Sequence, residues 1–141
     1  MGELLGVGSP DPEAMRGVAA ECVRLVGEQF GRQLDWSLAS LAELDDICAA
    51  LLVDGPLSGQ RLNLWWTLIG AYTGEVVIRA YGGEWVSDER GPGAPAISAL
   101  GITGFPFGTA RRILTGEPYK SLASFRRALP AISDHSRQER A

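Results

Sequence analysis

The sequence predicts an α+β fold, mainly helical, with a central buried helix and a small antiparallel β-hairpin or sheet. Three observations lead there. The stretch Gln60–Tyr81 is almost continuously apolar from Leu62 to Ala80 and contains no proline. Amphipathic helical patterns precede and follow it. Two short apolar segments, Glu84–Ser87 and Ala96–Leu100, flank a loop rich in glycine and proline, the pattern of a hairpin.

The central stretch sets the architecture. Leu62, Trp65, Ile69, Tyr72 and Val76 form one stripe at helical spacing. Leu64, Leu68 and Ala71 occupy another side, and Val77 and Ile78 widen the coverage. A helix apolar nearly all round is buried, either in a protein core or in lipid. A span needs about 20 mainly apolar residues. This run is near that length, but it carries Asn63, Glu75 and Arg79, and a central charge costs about 2.5–3.5 kcal/mol on insertion scales. Its flanks lack a lysine or arginine cluster. A core helix is favoured, and no membrane is expected.

The preceding elements follow local rules. Residues 1–9 read as a flexible lead-in. Asp11 caps a helix that starts at Pro12, and Gly31 ends it. Met15, Val18, Ala19, Cys22, Leu25, Val26 and Phe30 form its apolar face. Ser40 and Glu43 have capping-box spacing, and Leu41, Leu44, Ile47, Cys48, Leu51 and Leu52 give a second amphipathic helix. Asp45 and Asp46 read as solvated surface on its outer side. Asp54-Gly55-Pro56 breaks the chain before the central helix, and Gly82-Gly83 stops that helix.

Beyond the hairpin, Gly101–Phe107 reads as a turn. Pro106 opens a helix through Leu114, stopped near Gly116. Ser121 caps a last helix with Leu122, Phe125 and Leu129 inward, ended or bent at Pro130. The polar residues 133–141 read as a disordered tail, so a single domain spans 10–132.

Composition bounds the function. The chain has 141 residues, enough for one core without disulfides or metals. Net charge is −4, so a global basic field for nucleic acid is absent and no nucleic acid is expected. Cys22 and Cys48 fall on apolar helix faces and read as buried thiols in a reducing compartment. The start of the chain lacks a signal-peptide pattern, and the cytoplasm is the simplest compartment. The single histidine, His135, lies in the tail, which argues against a histidine-dependent catalytic triad or a histidine metal site. No phosphate-binding glycine loop is present. No catalytic residue, metal or cofactor is assigned.

Glu75 is the residue with two readings. One is a structural ion pair with Arg79, four residues on in the favourable order. The other is a functional carboxylate in a pocket beside Tyr72. Gly70 and Gly74 form a G-x-x-x-G, which reads as a groove where another backbone packs closely. The four tryptophans read as packing residues or, in part, as an exposed patch for a partner. Arg111-Arg112 and Arg126-Arg127 read as solvated faces, or together as a basic patch for an acidic partner or a phosphate-bearing ligand.

The run Gly70-Ala71-Tyr72-Thr73-Gly74-Glu75, followed by Gly82-Gly83-Glu84-Trp85, resembles a G-A-Y-x-G-E…G-G-x-W pattern of small bacterial domains of unknown function. Phe105-Pro106-Phe107, Gly116 and Ser121–Phe125 resemble the same families' closing segment. The resemblance implies an α+β domain and makes Tyr72, Glu75 and Trp85 a signature cluster, with no activity or cofactor attached. Candidate binding residues are therefore Tyr72, Glu75, Arg79 and Trp85. The expected function is a non-catalytic protein-interaction module, an adaptor or neutralising partner, with a protein partner or a second copy of the chain. The alternatives are a small-molecule binder with its pocket near Tyr72, Glu75 and Trp85, and an enzyme pairing Glu75 with Asp35 or Glu84.

Overall fold

The computed structural model of the chain describes residues 11–88 and 94–140, with side chains through Ser133. The lead-in at 1–9 and residues 89–93 of the turn-rich loop lie outside them. The elements run α1 (Pro12–Phe30), α2 (Ser40–Leu51), α3 (Gly59–Tyr81), β1 (Glu84–Val86), β2 (Ala96–Ala99), β3 (Ile102–Gly104), α4 (Pro106–Leu114) and α5 (Leu122–Arg140). This is a mainly helical α+β fold with one small antiparallel sheet.

Helix α3 is the centre. Every residue from Thr67 to Val77 is buried, and α1 and α4 pack along it. Its first turn emerges into solvent through Gln60, Arg61 and Asn63. No described helix is long and apolar enough to cross a membrane.

Helix α1 starts as its sequence dictates. The Asp11 carboxylate accepts from Glu13 N at 3.0 Å, and Pro12 occupies the first turn. Gly31 closes the helix at φ 65°, a left-handed position that glycine adopts without a Cβ clash. Met15, Ala19, Cys22 and Val26 are its buried stripe.

The start of α2 corrects the expected capping box. Ser40 lies inside the first turn, and its hydroxyl donates to Ser37 O at 2.6 Å. Ser37 does the capping instead, its Oγ accepting from Ser40 N at 3.2 Å. Asp45 and Asp46 also part company. Asp46 faces solvent opposite Arg32, 3.6 Å away. Asp45 turns toward α5 and accepts from Leu122 N at 2.7 Å and Ala123 N at 3.1 Å. An expected surface carboxylate is thus the cap of a helix 77 residues downstream. The unpaired N–H groups of a helix start draw in an acceptor from whichever element lies nearest.

The sheet has a strand more than the expected hairpin. Its order is β1-β2-β3, antiparallel throughout. Trp85 pairs with Ile97, and Ile97 with Gly104. Leu100 at φ 56° and Gly101 at φ 74° form the tight link to β3, which the sequence reading leaves as a turn.

Helix α5 corrects the expected ending. The chain does not leave the helix at Pro130 or lose structure from Ser133; α5 runs on to Arg140. An interior proline removes one helical hydrogen bond. Contacts on both sides of it offset that loss: Leu129 is buried, and the Ser133 hydroxyl donates to Leu100 O at 3.0 Å.

Candidate functional site

The four candidate residues on and after α3 fall into two separate clusters. Tyr72 and Arg79 are seven residues apart, about two turns, and share one side. Both meet Trp36. The Tyr72 and Trp36 rings lie 5.0 Å apart, and the Arg79 guanidinium sits 4.0 Å above the Trp36 ring. Tyr72 Oη accepts from Trp36 N at 2.9 Å and lies 2.6 Å from Ser40 Oγ. Because the Ser40 hydrogen is directed at Ser37 O, the phenol donates to Ser40. Burial pushes the phenol pKa up, against the lowering effect of these bonds. Trp36 has φ 68°, a costly backbone for a bulky residue, and the Tyr72 bond and ring contact hold it there. The cluster anchors the α1–α2 connection to the core.

Glu75 and Trp85 form the second cluster. The Trp85 Nε1–H donates to Glu75 Oε2 at 2.8 Å, with both residues buried. Arg79 lies on Trp36, and no Glu75–Arg79 ion pair occurs among the described residues. The expected structural pair is therefore replaced by an indole–carboxylate bond. Its cause is the spacing of Gly70 and Gly74. A Cβ on Gly74 would stand 2.2 Å from the Trp85 ring, and one on Gly70 would stand 2.5 Å from Phe107. The groove admits aromatic rings in addition to the Phe107 backbone. Trp85 and Phe107 lie in it with centroids 5.6 Å apart, and Trp66 meets Phe107 edge-on at 5.8 Å.

Asp35 is exposed and accepts from Ser37 N and Oγ, bonds that lower its pKa. Glu84 is exposed on β1. Cys22 and Cys48 are buried thiols. Desolvation raises both, and Cys48 is pushed up to about 12. Neither is a nucleophile at neutral pH. No group of three or more metal-ligating side chains occurs among the described residues.

An open concave surface lies elsewhere. A cleft of about 790 Å³ is bounded by β3, α4, α5 and Trp66 of α3. None of Tyr72, Glu75, Arg79 or Trp85 lines it. One wall is the α4 face Gly108, Arg111, Arg112 and Thr115; the other is the α5 face Phe125, Ala128, Leu129 and Ile132. Both sets follow the i, i+3, i+4, i+7 spacing of one helix face. Gly104 and Phe107 close the bottom, and Ile132 is exposed at the rim. Among the described residues, Arg111 and Arg112 are the only charged side chains of the lining. Arg126 and Arg127 do not line it, so the two arginine pairs do not merge there.

The α5 stripe was half legible. Phe125 and Leu129 read as inward residues; Ala128 and Ile132 complete the same face. What hid the cleft was the angle between α4 and α5, which local periodicity does not encode. The chain matches no protein-family model, no curated protein and no solved structure.

Proposed function

We propose that this protein is a non-catalytic binding domain and that the cleft between β3, α4 and α5 receives a small, largely apolar molecule. The observation that carries this reading is the cleft itself. Its volume of about 790 Å³ falls within the range typical of small-molecule sites. Aromatic and aliphatic side chains dominate its lining, with polar groups confined to a few positions.

The alternative pocket beside Tyr72, Glu75 and Trp85 has less support, because those side chains are consumed by packing and by bonds to each other and to Trp36 and Ser40. A second reading is the protein-interaction module, an adaptor or neutralising partner. Ile132, 47% exposed beside Phe125, Trp66 and Arg111, favours it, because tryptophan and arginine are enriched among interface hot spots.

The test is titration calorimetry with 1-decanol, using wild type and Ala128→Trp. Ala128 is exposed on the α5 wall, so the larger ring fills the cleft without entering the core. Saturable one-to-one binding by wild type, lost in the variant, is the expected result. Binding that survives the substitution contradicts the reading. No binding by wild type removes the small-molecule reading and leaves the protein-interaction reading ahead.

A further inference from the structure

We infer that the cleft is selective for a free amphiphile with one anionic head, an apolar chain or ring system carrying a carboxylate, which Arg111 and Arg112 receive at the α4 rim. The inference rests on the cleft being a ligand site and adds the chemical class of the ligand.

Charge without a close partner stands beside an apolar trough. The protein as a whole is acidic, with net charge −4. Among the described residues its cleft lining is the reverse: two arginines and no carboxylate. Several of the described arginines have a visible occupation. Arg24 bonds Glu21 and Glu28, Arg32 faces Asp46, and Arg79 covers Trp36. At the cleft, Arg112 makes only a long exposed contact of 3.9 Å to Glu117, and Arg111 has no ion-pair partner among the described residues. Their guanidinium groups stand on successive positions of α4, one turn above Gly108. Arg111 and Arg112 lie in the last turn of α4, and the α4 start offers a second, separate set of donors. No side chain caps it, and Phe107 and Gly108, whose N–H groups belong to the first turn, both line the cleft. Uncapped first-turn N–H groups favour negative charge.

The apolar half of the ligand is specified by the opposite wall. Phe125, Ala128, Leu129 and Ile132 carry no charge and run along α5 for about two turns. An uncharged alcohol would bury its chain there and leave the arginines to water. A carboxylate gains charge-assisted, forked hydrogen bonds from a guanidinium that was already exposed, so its desolvation cost is small. A cationic head would meet like charge.

The experiment compares decanoate, 1-decanol and decyltrimethylammonium, each below its micelle-forming concentration, by titration calorimetry at low salt. Decanoate is expected to bind about tenfold or more tightly than decanol, the worth of one charge-assisted bond at a partly exposed rim. The ammonium compound is expected to bind weakest. Arg111→Ala/Arg112→Ala should abolish the preference, so that the variant binds decanoate no more tightly than it binds decanol, and raised salt should do the same to wild type. Arg111→Lys/Arg112→Lys should restore part of the preference. If decanol and decanoate bind the cleft equally, or if the double alanine variant keeps the preference, the anionic class is wrong and the ligand site stands. If none of the three binds, the ligand site itself fails. Co-sedimentation with phosphatidylglycerol vesicles but not with phosphatidylcholine vesicles would transfer the anion to a membrane surface and overturn the assignment to a free molecule.

Discussion

Two aromatic regions meet at Phe107 and behave differently. On one side, Phe107 and Trp85 fill the groove left by Gly70 and Gly74, and the only polar atom of the indole is bonded to Glu75. On the other, Phe107 and Trp66 form part of an open cleft whose two cations lack a close acidic partner. Both regions are rich in aromatics and each contains charge. The difference lies in whether the charged group has a close partner within the fold. A carboxylate with its donor inside a filled groove is architecture, whereas unmatched cations beside open apolar surface are an invitation to a ligand.

The largest expected effect probes the closed region. Gly74→Ala places a methyl group 2.2 Å from the Trp85 ring. It should destabilise the fold by about 3 kcal/mol, the upper end for overpacking, read as the shift in urea midpoint. A loss under about 0.5 kcal/mol would mean that the groove is loose, and the contrast with the cleft would blur.

Trp85→Phe comes next. It keeps a ring in the groove but leaves the Glu75 carboxylate without its donor, a cost of about 1–3 kcal/mol. Trp85→Phe combined with Glu75→Leu should recover part of that loss, since the unmatched group is gone. A strictly additive double variant would break the claim that the two residues form one unit.

The cleft wall depends on Asp45. Asp45→Ala should cost about 1 kcal/mol by uncapping α5. Desolvation, the largest influence on Asp45, raises its pKa, while the Leu122 and Ala123 N–H groups oppose the shift. A carboxyl raised above its unfolded value contributes stability that is complete below that unfolded value, about 3.9, and is lost as pH rises through the folded value. Urea midpoints should therefore decline across this weakly acidic window in wild type relative to Asp45→Asn. A decline in the opposite sense would show that the cap bonds dominate over desolvation.

Thiol reactivity gives a sharper contrast at smaller energetic scale. Cys22 and Cys48, raised by burial, should resist iodoacetamide in native protein and react on unfolding. The smallest effect belongs to the open region: Arg111→Ala/Arg112→Ala should change stability by no more than about 0.5 kcal/mol, as exposed positions do.

The sequence made the closed region legible in outline. A helix apolar on nearly every side has to be central, and the Gly70/Gly74 spacing announced close packing. It misdirected on partners. Glu75 and Arg79 sit at ideal pairing distance along α3, yet Trp85 and Trp36, from other segments, took one each. Local spacing states which residues can meet within an element; only tertiary packing decides which do. Asp45 shows the same limit, because its partner lies on α5, far along the chain. The cleft was less legible still. Its two walls are ordinary amphipathic faces, and the space lies between elements that are distant in sequence. The arginine pair at 111–112 was visible as charge, but its setting beside Phe125 and Ile132 was not.

The most direct measurement of the central contrast is a heteronuclear NMR titration of the ¹⁵N-labelled protein with decanoate. The largest shifts should fall on the Gly104, Gly108, Arg111, Phe125 and Ala128 amides, with the Glu75 amide and the Trp85 indole N–H nearly unmoved. Largest shifts at Trp85, Glu75 and Tyr72, with the α4 and α5 walls silent, would place the site in the closed region and contradict the account.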